Sequence, residues 1–114
     1  MAVPEGLARA VRLRAQGRFQ YCLMHESLQG ATFHVEHVIP QSKGGDSTLE
    51  NLAMACPGCN LHKADETTAA DPLTGDQVPL FHPLRQRWSE HFRFKDSEME
   101  GLTAIGRATV VLLD

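Results

Sequence analysis

Residues 56–59 read Cys56-Pro57-Gly58-Cys59, and residues 22–25 read Cys22-Leu23-Met24-His25. A C-x-x-C pair and a C-x-x-H pair, separated by one hairpin-sized insertion, are typical of a structural zinc site with four protein ligands. We therefore expect Cys22, His25, Cys56 and Cys59 to bind Zn²⁺ and to stabilise the fold without taking part in chemistry. The alternative is that Cys22 is a buried small hydrophobic side chain and His25 a surface residue.

The insertion between the two pairs predicts a strand, a loop and a turn. β-branched and aromatic residues alternate over residues 33–39, which predicts a short strand ended by Pro40. Residues 41–46 contain Gly44-Gly45 and predict a loop. Residues 47–50 have capping-box spacing, so a short helical turn is expected before Asn51. This order brings Asn51 back towards His37.

Helices and aromatic residues are predicted on both sides of this region. Apolar residues at helical spacing predict an N-terminal helix over residues 5–16 and indicate a second helix over 60–70, ended by Asp71-Pro72. Residues 83–94 contain Trp88, Phe92 and Phe94, which we expect to join the core. Residues 101–114 predict a strand, a turn at 103–106 and a final apolar helix or strand.

The size and charge of the chain limit its function. Its 114 residues predict one domain, and its formal net charge of −3 argues against a protein that coats nucleic acid with a large basic surface. Phosphate contacts are instead expected from arginine-rich flanks at residues 9–18 and 85–95. No apolar run approaches the roughly 20 residues of a membrane helix, and no secretory signal is visible. We therefore expect a cytoplasmic protein without a membrane partner.

Several short motifs follow one another in a characteristic order. They are Val35-Glu36-His37-Val38-Ile39-Pro40, Gly44-Gly45, Glu50-Asn51-Leu52 and Asn60-Leu61-His62-Lys63, interleaved with the two zinc pairs. Taken together they resemble the HNH endonuclease family, whose ββα-metal core is often held by zinc. The resemblance implies an α+β fold with a treble-clef-like core, and cleavage of nucleic acid, with DNA as the expected substrate.

The resemblance also implies roles for individual residues. His37 would be the general base, Asn51 would orient it, and Glu36 and Asn60 would hold a catalytic Mg²⁺ or Mn²⁺. Because neighbours on a regular strand point to opposite faces, a bend or bulge near Pro40 would be needed for Glu36 and His37 to face one phosphate. The candidates for phosphate contacts are Lys43, His62 and Lys63.

Segments beyond the core resemble a C-terminal extension found in a bacterial subset of the family. They include Asp71-Pro72-Leu73-Thr74-Gly75 and Gly106-Arg107-Ala108-Thr109-Val110. That subset commonly has Asn-Pro-Arg where this chain has His82-Pro83-Leu84, so no role of that arginine carries over. We expect an N-terminal helix over 1–20, a zinc-held core over 21–70 and a mainly structural extension over 71–114.

Two other interpretations stay open. The chain could be a non-catalytic zinc module of treble-clef shape that binds nucleic acid or protein through the same cysteines. It could also be an HNH domain that needs a partner subunit for recognition, because no separate DNA-reading motif is visible. The sequence does not define the oligomeric state.

Overall fold

The computed structural model of the protein describes residues 3–28 and 33–113. Within these ranges, the α-helices alternate with pairs of short strands, and each pair forms a two-stranded antiparallel sheet. The helices are α1 Glu5–Ala15, α2 Pro57–Lys63, α3 Trp88–His91 and α4 Ala104–Leu113. The strands are β1 His34–His37, β2 Leu52–Ala55, β3 Thr68–Ala70, β4 Gln77–Pro79, β5 Phe92–Lys95 and β6 Glu98–Gly101. This content confirms the predicted α+β class.

The first sheet and α2 form a ββα unit. β1 and β2 pair in a continuous register from His34 opposite Ala55 to His37 opposite Leu52. The backbone N–H of Gln20 donates to the carbonyl of Met54 at 2.8 Å, and the Gln20 side chain accepts from the N–H of Met54. The segment before Cys22 therefore lies beside β2, which leads directly into α2.

A hydrophobic cluster joins the ββα unit to both flanking segments. It includes Val11 of α1, Met54 of β2, Phe92 of β5 and Leu113 of α4. Burial of each large apolar side chain contributes about 1.5–3 kcal/mol. The N-terminal helix and the C-terminal extension therefore pack on the same core as the ββα unit.

The only tryptophan in the sequence lies at the edge of this core. The Nε1–H of Trp88 donates to the carbonyl of Tyr21 at 2.8 Å, and its ring packs against Phe92 and Phe94. Phe92 is buried, as predicted, whereas Phe94 is half exposed. Trp88 thus links the aromatic segment to the turn that carries Cys22.

The second predicted helix is shorter than expected. α2 ends at Lys63, and Ala64 adopts φ 48° and ψ −128°, which stops the helix. Thr68–Ala70 then forms β3 and pairs with Gln77–Pro79, so the predicted helix over 60–70 is wrong after Lys63. Non-local strand pairing outweighs the local helical preference of these residues.

The first predicted strand is also shorter, and the loop after it contains an additional helical turn. β1 spans only His34–His37, and a 3₁₀ turn lies at Gln41–Lys43, inside the predicted loop. At the expected position before Asn51, the N–H of Asn51 donates to the carbonyl of Thr48 at 2.9 Å and closes a single turn. Asn51 still follows this loop directly. The predicted return of the chain from β1 to β2 is therefore present.

The C-terminal segment is a strand followed by a helix. β6 ends at Gly101 and α4 begins at Ala104, so the predicted turn at 103–106 is largely replaced by the first turn of α4. α4 is apolar, but in residues 3–28 and 33–113 no helix has the length and apolar character needed to cross a membrane.

Candidate functional site

Three cysteine side chains meet where the turn after α1 approaches the start of α2. The Sγ atoms of Cys22, Cys56 and Cys59 all lie within 4.8 Å of one another, and all three are free thiols. Tetrahedral zinc with Zn–S bonds of about 2.3 Å requires sulfur atoms roughly 3.8 Å apart. The cluster can therefore hold a metal ion such as zinc.

Hydrogen bonds within the cluster favour a thiolate at one of its members. They lower the pKa of Cys22 to about 6, the largest effect coming from Cys59. The pKa of Cys59 is raised by its side-chain hydrogen bond with Cys22 and by burial. The N–H of Cys59 also donates to Sγ of Cys56 at 3.3 Å. Sulfur atoms that share protons in this way are ready to exchange them for a metal ion.

The structure does not bring His25 into this cluster. Its Nδ1 lies 2.8 Å from the hydroxyl of Ser27 and accepts the N–H of Ser27 at 3.1 Å. Its Nε2 faces the turn after α1, since a Cβ added at Gly17 would lie 2.8 Å from this atom. Of the four predicted zinc ligands, the three thiols are together and the imidazole is turned away.

Glu36 and His37 lie on opposite faces of β1. The continuous register with β2 leaves no bulge in residues 34–37. The chain bends at Val38 and Ile39, next to Pro40 as expected, but this bend comes after both side chains. Glu36 is buried, with 6% of its surface exposed, whereas His37 is partly exposed. The two side chains therefore have different surroundings.

Glu36 forms a buried ion pair with α2. Its Oε1 lies 2.9 Å from Nζ of Lys63, and Nζ also donates to the carbonyl of Val38 at 2.9 Å. Burial raises the pKa of Glu36, and the charge of Lys63 only partly offsets this effect. Lys63 is 1% exposed, so it is not available to a phosphate in this structure, contrary to the expectation from the sequence.

The Glu36 carboxylate has unused capacity to bind. Both of its oxygens and the nearby hydroxyl of Tyr21 are buried without a well-directed hydrogen bond among the described residues. Burial raises the pKa of Tyr21 well above its ordinary value, and the charge of Glu36 raises it further. An incompletely satisfied carboxylate is a suitable oxygen ligand for a divalent cation.

His37 is held by the loop that follows β1. Its Nε2 lies 2.8 Å from the hydroxyl of Ser47, and the Gln41 amide approaches the same hydroxyl at 3.4 Å. Partial burial lowers the pKa of His37, so the ring is neutral at pH 7 and able to accept a proton. The sequence had indicated only a capping role for Ser47.

Asn51 fixes the same loop through the backbone. Its Oδ1 accepts the N–H of Ile39, and its Nδ2 donates to the carbonyls of Ile39 and Asp46, each at 2.9 Å. Both amide hydrogens are therefore used, and none remains for the ring of His37. Asn51 therefore shapes the loop next to His37. It does not orient the imidazole directly, which is the role that the sequence had suggested.

Gly45 is required by this compact loop. A Cβ at Gly45 would lie 1.7 Å from the carbonyl oxygen of Ile39 and 2.7 Å from Nδ2 of Asn51. No side chain fits at that position without moving the loop. The second glycine of the Gly44-Gly45 pair is therefore required for steric reasons.

Asn60 lies across the α2–β1 interface from His34. Its Nδ2 is 3.4 Å from Nδ1 of His34. Because His34 and Glu36 share one face of the strand, and Asn60 and Lys63 one face of the helix, the predicted ligands Glu36 and Asn60 belong to the same interface. His37 alternates to the other face of β1, at the last residue of the strand, where the chain bends.

The other phosphate candidates have partners within the chain. Nζ of Lys43 donates to the carbonyl of Asp65 at 2.8 Å, and Nδ1 of His62 lies 3.0 Å from the carbonyl of Leu113. Both residues are exposed. Several flanking arginines also bind internal groups: Arg12 pairs with Glu26, Arg14 donates to backbone carbonyls, and Arg93 pairs with Glu100.

The comparisons with known proteins identify the ββα unit. Residues 20–66 match the family model of the HNH endonuclease, a stretch that runs from the residue beside β2 to just past α2. Residues 20–66 therefore correspond to an HNH endonuclease domain. No curated protein and no solved structure matched the chain. The HNH domain covers less than half of the sequence and contains the three thiols, β1, β2 and α2.

Proposed function

We propose that the HNH domain hydrolyses phosphodiester bonds of nucleic acid, with DNA as substrate, in a reaction that requires Mg²⁺ or Mn²⁺. The observation that carries this proposal is the setting of His37, a partly exposed, neutral imidazole held by Ser47 beside a loop fixed by Asn51. Endonucleases of the HNH family act on nucleic acid, and the matched segment contains all of these residues.

In this proposal His37 acts as the general base. In the tautomer whose Nε2–H donates to the Ser47 hydroxyl, Nδ1 is unprotonated and accepts a proton from water. The water oxygen bonds to phosphorus, and the bond from phosphorus to the 3' oxygen breaks. The leaving oxygen takes a proton from solvent, which gives 5'-phosphate and 3'-hydroxyl ends.

Glu36 and Asn60 are the proposed ligands of the catalytic metal. A carboxylate and an amide oxygen are hard donors of the kind that Mg²⁺ and Mn²⁺ prefer, and both oxygens of Glu36 lack well-directed hydrogen bonds. The bound ion would supply charge stabilisation at the phosphoryl and leaving oxygens. Lys63 occupies the carboxylate in this structure, so its ammonium must give way before the ion binds.

The remaining assignments follow from the same proposal. Residues 21–70 would form the catalytic core, with residues 1–20 and 71–114 as structural support on a shared hydrophobic cluster. Lys43 and His62 remain proposed phosphate contacts because both are exposed. The use of three free thiols as zinc ligands favours a reducing compartment, the cytoplasm.

The test is nicking of supercoiled DNA by the zinc-loaded protein with Mg²⁺ or Mn²⁺, with and without chelator. We expect metal-dependent nicking that His37→Ala reduces at least about 100-fold, as for loss of a general base. His91→Ala is the matched control, because His91 lies in α3 outside the matched segment. Full activity of His37→Ala at unchanged zinc content would contradict the assignment of the base.

A second candidate is a non-catalytic zinc module that binds nucleic acid or protein. The observation that favours it is the buried Glu36–Lys63 pair, which neutralises the carboxylate needed for a catalytic metal. The same assay separates the two candidates. Binding of DNA without any metal-dependent cleavage would favour the module.

A further inference from the structure

A cavity of about 460 Å³ lies next to the residues that follow His37. Val38 and Ile39 line it at the end of β1, Thr67 and Phe81 line it beside the β3–β4 hairpin, and His82 and Arg85 line it in the segment before α3. This volume is within the range of about 300–1,000 Å³ typical of small-molecule sites. The cavity thus connects the end of β1 to the C-terminal extension.

The wall of the cavity suits a flat apolar group. Ile39 and Ile105 contribute partly exposed aliphatic surface. The buried ring of Phe81 supports this wall and is held edge-on against Phe92 at a ring distance of 5.0 Å. A rigid apolar wall of this kind favours stacking or packing of a ring over a flexible charged chain.

One polar group on the wall lacks a partner. Nδ1 of His82 accepts the N–H of Leu84 at 3.3 Å, whereas its Nε2 is buried without a hydrogen-bond partner among the described residues. Burial, together with the charges of Arg85 and Lys63, lowers the pKa of His82 to about 4. The ring is therefore neutral, and its proton lies on Nε2 as a donor that a ligand acceptor would satisfy.

The charge of the lining is entirely positive. Lys63 and Arg85 contribute cationic groups, Arg85 is exposed, and no aspartate or glutamate is present among the lining residues that the structure describes. Lys63 is already paired with Glu36, which leaves Arg85 as the cation that can reach a bound anion. An anionic ligand with an apolar ring matches this lining.

We infer that the cavity is a nucleotide subsite, in which the base packs against Ile39 and Ile105 and accepts a hydrogen bond from His82, while the phosphate binds Arg85. This inference rests on the proposed nuclease function, because it gives the site beside His37 a neighbouring nucleotide. The nucleotide comes either from an extruded position of the substrate strand or from free mononucleotide.

The first experiment measures binding of dAMP, deoxyadenosine and inorganic phosphate to the zinc-loaded His37→Ala protein by calorimetry, without Mg²⁺. We expect dAMP to bind at least about tenfold more tightly than either fragment, since it uses the wall and the cation together. Thr67→Trp should abolish binding by filling the cavity. Arg85→Ala should weaken dAMP about tenfold and leave deoxyadenosine unchanged, as for loss of one charge-assisted contact.

Arg87→Ala is the matched control, because it removes the same charge from an exposed residue two positions away that does not line the cavity. Zinc content and circular dichroism verify that Thr67→Trp is folded; Arg85→Ala tests the proposal independently. The subsite is overturned if dAMP binds no more tightly than phosphate, or if Arg87→Ala weakens it as much as Arg85→Ala does.

A second experiment identifies the source of the nucleotide. Oligonucleotides that carry 2-aminopurine are mixed with the same protein, and fluorescence reports a base that leaves the stack. An increase in 2-aminopurine fluorescence that Thr67→Trp prevents supports an extruded base. Binding of dAMP without such an increase supports free nucleotide as the ligand. If dAMP binds but no protein with His37 intact nicks DNA, the nuclease proposal fails and the subsite stands. If the protein nicks DNA but does not bind dAMP, the subsite fails and the nuclease proposal stands.

Discussion

The Glu36–Lys63 pair places two opposite charges in the interior at 2.9 Å, with 6% and 1% of the respective residues exposed. Such a pair often contributes little net stability, because desolvation of both ions offsets their attraction. Removal of one partner is different, since it leaves the other charge buried and alone. We therefore interpret Lys63 mainly as the counter-charge of the buried Glu36 carboxylate, and only secondarily as a source of net stability.

A double-mutant cycle tests this interpretation. We expect Lys63→Met to destabilise the zinc-loaded protein by about 3–5 kcal/mol, because the Glu36 carboxylate would lose its counter-charge. Glu36→Gln with Lys63→Met should recover most of that loss. Urea unfolding of the two single variants and the double variant gives the coupling, and additive effects would show that the two side chains act independently.

The same cycle bears on the catalytic metal. Lys63→Met removes the cation that competes for Glu36, so it should increase Mn²⁺ affinity relative to the natural protein even though it lowers stability. Binding of Mn²⁺ can be followed by calorimetry on the folded, zinc-loaded variant. Unchanged affinity would remove Glu36 from the proposed ligand set.

Between elements, the clearest connection is the ion pair that ties the β3–β4 hairpin to α4. Nε and Nη2 of Arg107 donate to the two carboxylate oxygens of Asp71 at 2.9 and 2.8 Å. Asp71 also accepts the N–H of Leu73 and the hydroxyl of Thr74, which shapes the loop of the hairpin. The two extension motifs noted in the sequence are therefore in contact through these side chains.

This pair predicts a dependence of stability on pH. Arg107, followed by the N–H of Leu73 and the hydroxyl of Thr74, lowers the pKa of Asp71 below its ordinary value. A carboxyl with a lowered folded-state pKa stabilises the fold fully above its unfolded pKa, near 3.9, and this stability is lost as the pH falls further. The natural protein should therefore lose more stability between pH 5 and pH 3 than Arg107→Ala does.

Urea midpoints measured at each pH provide the comparison, and the difference between the two proteins cancels the effect of acid on the thiolates. Arg93→Ala is the control, because the Arg93–Glu100 pair is exposed at both ends and should matter little. Parallel pH curves for Arg107→Ala and the natural protein would contradict the role of the pair.

Local sequence patterns predicted the elements whose causes are local. α1 follows from apolar spacing and β1 from alternation before Pro40. The start of α2 was predicted at residue 60, whereas the helix begins at Pro57. The pattern failed at Thr68–Ala70, where an alanine-containing segment becomes a strand because Gln77–Pro79 lies across the turn. The sequence of residues 60–70 alone does not indicate that this segment pairs with Gln77–Pro79.

The part of the site that could be predicted is the part defined by residue types and their order in the sequence. The order of cysteines, Glu36-His37 and Asn51 indicated the family, and the family match bears this out. The burial of Lys63 against Glu36, the contact of Ser47 with His37, and the orientation of His25 depend on the packing of α2, the loop and α1. These contacts join residues that no short motif relates.

For the whole molecule, the thiol cluster joins the turn after α1 to the start of α2. Cys22 lies after α1, whereas Cys56 and Cys59 lie at the start of α2. A structural zinc site can contribute on the order of 10–16 kcal/mol of apparent binding energy, comparable to the entire stability of a small domain. The metal should therefore be part of the fold.

We expect a strong chelator to unfold the protein in a single cooperative step and added Zn²⁺ to restore it. Cys22→Ser, Cys56→Ser and Cys59→Ser should each abolish stoichiometric zinc, because each removes one of the clustered thiols. His25→Ala should retain zinc, since its imidazole is engaged by Ser27. Metal analysis after gel filtration provides the measurement.

Two results would contradict these assignments. Loss of zinc in His25→Ala as severe as in Cys22→Ser would return the imidazole to the ligand set. Retention of zinc and secondary structure in all three cysteine variants would contradict a structural role for the metal.

The hydrogen bond from Trp88 to the carbonyl of Tyr21 has an optical consequence. Tyr21 directly precedes Cys22, so we expect a metal ion bound by the thiol cluster to change the polarity around the indole. Because the chain has one tryptophan, its emission comes from a single, known position. Intrinsic fluorescence at Trp88 thus offers a label-free signal for metal loading and release, without any dye or engineered probe.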